Sequence, residues 1–120
     1  MRIYISGKVT GKQGFEKDFA EAEAWLKLNG HEVVSPAKVC AALPATLAHE
    51  DYMQVCFRLI DISECIYVLK GWQSSKGAKA ELSYAKALGK KVKFEDKQWS
   101  LKNSRKTEIN NNNREGEEDL

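Results

Sequence analysis

Apolar residues follow two periods along this chain, and the periods take turns. Arg2 to Ser6 is a short β-prone run ending at Gly7, and from Gly14 to Asn29 the residues Phe15, Phe19, Ala22 and Leu26 recur at helical spacing. Asn29 and Gly30 close that helix, Glu32 to Val34 follow as a second strand, and Pro36 stops it. From Leu47 to Ile62 the positions Tyr52, Val55, Cys56 and Leu59 mark one helical face. Cys65 to Leu69 is then a nearly continuous apolar strand of the kind buried on both sides. Gly71 to Gly77 is a loop, Ala78 to Leu88 is helical through Leu82, Ala85 and Leu88, and Lys91 to Phe94 gives a fourth strand.

Strands that alternate with helices need crossover connections, which build a parallel sheet with helices on both faces. The expected fold is therefore α/β: a small doubly wound, flavodoxin- or Rossmann-like sheet of four strands in the order 2-1-3-4, with three helices. Ligands of such sheets bind beyond the carboxyl ends of the strands, where the strand order reverses. In this chain that point lies between the first and third strands, so the loops after Ser6 and after Leu69 become the places to search.

Composition narrows the class. The 120 residues are enough for one core without disulfides or metal. Apolar residues thin out after Phe94, which assigns 1–95 to the folded domain and 96–120 to a polar, disordered tail from which Trp99 and Leu101 could dock on a partner. The formal charge of +2 is spread among interspersed acids and bases and predicts no nucleic-acid polymer as partner. Met1 to Ser6 reads as a strand rather than a signal peptide, and no apolar run is long enough for a membrane span, so a cytoplasmic location is expected. Cys40, Cys56 and Cys65 lack a C-x-x-C spacing and read as reduced core thiols. His31, His49, Cys40 and Cys56 match no standard zinc spacing, and neither a metal nor a cofactor is expected.

The first of the two loops reads Ser6-Gly7-Lys8-Val9-Thr10-Gly11-Lys12. Gly7 and Gly11 let backbone N–H groups come close to a ligand, and Lys8 and Lys12 favour a negative one. The second, Gly71-Trp72-Gln73-Ser74-Ser75-Lys76-Gly77, runs straight into a helix. Its hydroxyls and free N–H groups gather at a positive helix end suited to a phosphate, although Ser74 or Ser75 would equally serve as an ordinary N-cap. Glu81 lies about one turn into that helix, where an acid is either favourable charge placement or, beside a phosphate loop and Tyr4, a nucleophile for the anomeric carbon of a ribosyl group.

The segments Ile3-Tyr4-Ile5-Ser6-Gly7 and Ser75-Lys76-Gly77-Ala78-Lys79-Ala80-Glu81, with Tyr84-Ala85-Lys86-Ala87-Leu88-Gly89-Lys90 after them, resemble the nucleoside 2-deoxyribosyltransferase superfamily over roughly residues 1 to 95. The resemblance is strongest to its small, mostly phage and bacterial branch, which carries I-Y-I-S-G-x-[IV]-T-G early and G-W-x-x-S-x-G-A-x-x-E later. It implies an enzyme, an N-glycosidase or 2-deoxyribosyltransferase, that cleaves the N-glycosidic bond of a (deoxy)nucleoside 5′-monophosphate through a glycosyl ester on Glu81, with Tyr4 orienting that carboxylate. Serine at position 75, with Lys8 nearby, favours a phosphorylated substrate, which Gly7, Gly11, Ser74 and Gly77 would help to hold. The resemblance also implies a homodimer or higher homo-oligomer.

One departure stands out. The superfamily carries an Asp before its third strand that helps protonate the departing base, and by spacing that position falls on Phe57. Asp61 is the catalytic candidate one turn on, and Asp51 is another. Trp72 is placed either to stack on a base or to cover the end of the sheet. A chain that kept the phosphate cradle and lost the acid–base apparatus would instead be a non-catalytic binder of a nucleotide or nucleotide-derived signal.

Overall fold

A computed structural model of the chain describes residues 1–95; the tail expected over 96–120, with Trp99 and Leu101, lies outside the described residues. The elements run β1 (Arg2–Ser6), α1 (Phe15–Leu28), β2 (Glu32–Val34), α2 (Pro36–Ala41), α3 (His49–Asp61), β3 (Cys65–Val68), a 3₁₀ turn (Trp72–Ser74), α4 (Lys76–Ala87) and β4 (Lys91–Phe94). All four strands are parallel, in the order β2-β1-β3-β4. This is the doubly wound sheet that the alternation of periods predicts.

The two faces of the sheet carry separate cores, divided by the two-residue period of the strands. Ile3 and Ile5 of β1 and Cys65 and Tyr67 of β3 point to one face and pack under Phe19, Ala22 and Leu26 of α1. Tyr4, Ile66 and Val68 point to the other, where they meet Cys56 and Ile60 of α3 and Leu82 and Ala85 of α4. Central strands β1 and β3 are buried on both faces, whereas β2 and β4 form the partly exposed edges.

The structure adds a fourth, short helix, α2, to the three expected. Pro36 does end β2, but its ring also fixes φ at a helical value and its missing N–H costs nothing at a first helical position, so the same residue opens α2. Six residues are too few to display a helical period. Helix α4 begins at Lys76, ahead of the apolar residues that reveal it, because Ser75 supplies its cap.

Two close contacts shape the carboxyl edge of the sheet. The Leu69 N–H donates to the Ser6 carbonyl at 2.8 Å and carries the β1–β3 pairing one step past the strands. A Cβ on Gly7 would lie 2.9 Å from Leu69 Cδ1 and 3.1 Å from its Cβ, so only glycine lets the chain leave β1 here. Helices α3 and α4 both run back down the same face of the sheet, which sets their N-terminal turns side by side above this edge.

Candidate active site

Tyr4 and Ser6 sit two residues apart on β1 and therefore project to the same face, toward α4. The Tyr4 hydroxyl donates to Glu81 Oε2 at 3.0 Å, and the Ser6 hydroxyl donates to Glu81 Oε1 at 2.6 Å. Tyr4 and Ser6 are fully buried, and Glu81 is 7% exposed. A carboxylate is thus gripped at both oxygens beneath the strand switch.

Buried carboxylates are ordinarily paired with a cation, since leaving water costs an ion several kcal/mol. Glu81 makes no salt bridge among the described residues; its partners are neutral hydroxyls. Burial pushes its carboxyl above the ordinary glutamate range, while the hydroxyls of Ser6 and Tyr4, the Cys56 thiol and the charge of His49 pull it back. The same surroundings act on its neighbours. Burial and then the Glu81 charge hold the Tyr4 phenol well above its usual value, and drive the Cys56 thiol up to about 12. Neither group gives up its proton near neutral pH.

The two glycine-containing loops meet beside this carboxylate. Lys8 Nζ donates to Ser74 Oγ at 3.2 Å and ties one loop to the other. Gly71, at φ 87°, takes the left-handed conformation that starts the 3₁₀ turn, and the Ser74 hydroxyl donates back to its carbonyl at 3.1 Å. Ser75 caps α4 by accepting the Ala78 N–H at 3.1 Å. Gly77 lies open beside Met53 of α3, whose sulfur is 3.6 Å from where a Cβ would stand. On the other side of Lys8, an open depression of about 230 Å³ is lined by Lys8, Lys12, Asp18, Leu69, Lys70 and Glu95.

Glu81, Tyr4, Gly7, Lys8, Ser74, Ser75 and Gly77 are therefore brought to one edge of the fold. Of the other sequence candidates one, Asp61, lies at the far edge, and the rest make contacts of their own or stand in the loops. Asp61 ends α3 at the opposite edge, where it accepts the Tyr84 hydroxyl at 2.6 Å and Arg58 Nη1 at 3.1 Å. Asp51 accepts the Ala48 N–H at 3.1 Å and so closes the first turn of α3. Phe57 stacks on Tyr84 with ring centroids 4.5 Å apart, and the α3 side chain that reaches Glu81 is its neighbour Cys56. Trp72 lies 5.7 Å from the Phe94 ring and covers the end of the sheet at β4. Gly11 occupies an exposed turn at φ 75°.

Three contributors escaped sequence reasoning: Ser6, Cys56 and His49. Ser6 was legible in principle, because the alternation that buries Ile3 and Ile5 under α1 commits Tyr4 and Ser6 jointly to the other face.

Residues 1–94 match the family described as Domain of unknown function (DUF4406). The chain belongs to that family. No curated protein matches its sequence. Among solved structures, a 2-deoxyribosyltransferase of the psychrotolerant bacterium Bacillus psychrosaccharolyticus shares the fold at a TM-score of 0.65 and 19% identity, over 87% of this chain and 82% of that one. A 2-desoxiribosyltransferase of Leishmania mexicana aligns at 0.60 and 20% identity, over 78% of this chain and 62% of that one. A CMP N-glycosidase of Clostridium botulinum aligns at 0.57 and 15% identity, over 97% and 89%. At these identities the likeness establishes the fold: this DUF4406 chain has the architecture of the nucleoside 2-deoxyribosyltransferases. No helix among its described residues is long and apolar enough to cross a membrane.

Proposed function

We propose that the protein is an enzyme that cleaves the N-glycosidic bond of a (deoxy)nucleoside 5′-monophosphate, with Glu81 as nucleophile. One Glu81 oxygen attacks C1′ of the sugar, the bond from C1′ to the base nitrogen breaks, and its electron pair leaves with the base. Water or a second base then attacks C1′ and returns the carboxylate. The observation that carries this reading is the carboxylate itself, buried with no salt bridge among the described residues and held at both oxygens by Tyr4 and Ser6. Those hydroxyls fix its orientation and temper its charge, yet a carboxylate oxygen has lone pairs to spare.

The remainder of the edge supports a phosphorylated substrate. Lys8 supplies a cation, Ser74 and Ser75 supply hydroxyls, and the first N–H groups of α4 open beside Gly77, which together favour a dianion. That solved proteins of this fold include both 2-deoxyribosyltransferases and a CMP N-glycosidase agrees with either transfer or hydrolysis.

The test incubates the protein and its Glu81→Gln variant with the 2′-deoxynucleoside and ribonucleoside 5′-monophosphates, following free base by chromatography and binding by calorimetry. The expected result is base release that the variant loses while still binding nucleotide. Binding without release, equal in both proteins, would make the protein a nucleotide binder instead.

A further inference from the structure

We propose that His49 is the catalytic acid of this site, donating the proton that the departing base takes up; the inference rests on the reading of Glu81 as nucleophile.

The argument starts from the register of α3 against α4. His49, Met53 and Cys56 lie at i, i+4 and i+7 and so share one face of α3. Two contacts fix where that face looks. Met53 touches the first turn of α4 at Gly77, and the Cys56 thiol reaches Glu81 and Tyr4. One turn above Met53, the same face brings His49 to the rim of the site. Long side chains on a helix lean toward its N-terminus, which carries the imidazole further out over the carboxyl edge of the sheet, where a ligand enters. His49 is solvent-exposed, and its charge is felt at the Glu81 carboxylate.

Elimination among the described residues points the same way. A base leaving through a ring nitrogen needs a proton, and an effective donor must exchange it near neutral pH. Tyr4 and Cys56 hold theirs too tightly. Asp51 is occupied with the Ala48 N–H, and Asp61 lies at the far end of α3 with Tyr84. Histidine is the side chain matched to this task, and His49 is the one on the face that touches Glu81. The balance is complete: as Glu81 bonds to C1′ and the C1′–N pair leaves, the His49 imidazolium protonates the base. Neutral imidazole then takes a proton from the water that attacks C1′, and Glu81 departs as carboxylate.

The test compares wild type, His49→Ala and Glu81→Gln on two substrates built on whichever base the wild type accepts. One is the ordinary 5′-monophosphate. The other carries an activated leaving group, already cationic as the 7-methylpurine or 3-methylcytosine form of that base, or the neutral but more acidic 5-fluorouracil for a pyrimidine dione, so that departure needs little or no acid. Expected is a loss of about 10²- to 10⁴-fold for His49→Ala on the ordinary nucleotide, a loss under about fivefold on the activated one, and partial rescue of the ordinary reaction by added imidazole. Equal losses on both substrates, or none, overturn the assignment of His49 and leave Glu81 standing. Glu81→Gln, inactive on both, reports on the nucleophile separately; a wild type that cleaves neither substrate overturns the glycosidase reading and this one with it.

Discussion

Ser6 and Glu81 stand 75 positions apart in the chain, and their side-chain oxygens meet at 2.6 Å in the interior. Tyr4 grips the other oxygen at the longer distance of 3.0 Å. Both hydroxyls favour the ionised carboxylate and oppose the burial that disfavours it. Burial raises the pH at which Glu81 ionises, and the two hydroxyls of β1 oppose it.

Removing either hydroxyl should shift the acid limb of the kcat/KM profile upward. In the proposed mechanism Glu81 must be ionised to attack, and its raised carboxyl predicts a wild-type limb above the ordinary glutamate value of 4.5. A lost hydrogen bond to a charged group is worth about 1.5 kcal/mol or more, roughly one pH unit. Ser6→Ala, which breaks the shorter bond, should shift the limb further than Tyr4→Phe. Profiles measured from pH 4 to 8 decide; unmoved limbs in both variants would disconnect β1 from the chemistry.

Glu81→Gln should make the fold more stable near neutral pH. The unfolded chain ionises this carboxyl at about its ordinary value of 4.5, and the folded chain only at higher pH. Stability from this group is thus complete below 4.5 and is lost as pH rises through the folded value. Melting temperatures of variant and wild type should coincide near pH 4 and separate in the variant's favour by pH 7, each 1 kcal/mol appearing as roughly 4–8 °C. A variant less stable than wild type at pH 7 would make Glu81 a structural residue.

Gly7→Ala should destabilise by about 1–3 kcal/mol through overpacking, since its Cβ meets Leu69 Cδ1 at 2.9 Å. Combining it with Leu69→Ala should cost less than the sum of the single changes in urea unfolding. Strict additivity would mean that the contact is relieved elsewhere.

Lys8→Ala should weaken binding of a 5′-monophosphate by roughly fivefold, the worth of about 1 kcal/mol for an exposed charge, and leave the unphosphorylated nucleoside unaffected. Calorimetry with the matched pair at two salt concentrations checks this. Equal weakening of both ligands would move the phosphate away from Lys8.

Asp61→Asn should lower stability and spare turnover. The Tyr84 hydroxyl holds the Asp61 carboxyl below its ordinary value, so the stability it gives is present above about 3.8 and lost as pH falls. It is held by Tyr84 and Arg58 at the end of α3 away from Glu81. A large drop in kcat with an unchanged melting temperature would return it to the site.

The sheet was legible in the sequence because each of its elements declares itself locally: two-residue periods for β1 and β3, helical periods for α1, α3 and α4, and Gly30 and Gly89 at the turns. What escaped was set by contacts across the chain. Spacing along α3 leads to Phe57 or Asp61, whereas in the fold Met53 lies against Gly77 and the α3 groups that act on the Glu81 carboxyl are Cys56 and His49. Helix α2 escaped for its brevity. Ser6 was visible in the alternation of β1, yet nothing local to Ser6 shows that the facing residue is a carboxylate.

The most direct test of the central claim is to trap the intermediate. The protein is incubated with a 2′-fluoro-2′-deoxyarabinonucleoside 5′-monophosphate, whose fluorine slows turnover of a glycosyl ester, and peptides are then mapped by mass spectrometry. A mass increase equal to the fluorosugar phosphate, located on Glu81 and missing in Glu81→Gln, is the predicted result. Base release with no adduct, or an adduct on another residue, would contradict the account and reassign Glu81 from nucleophile to a residue that activates water or holds the sugar.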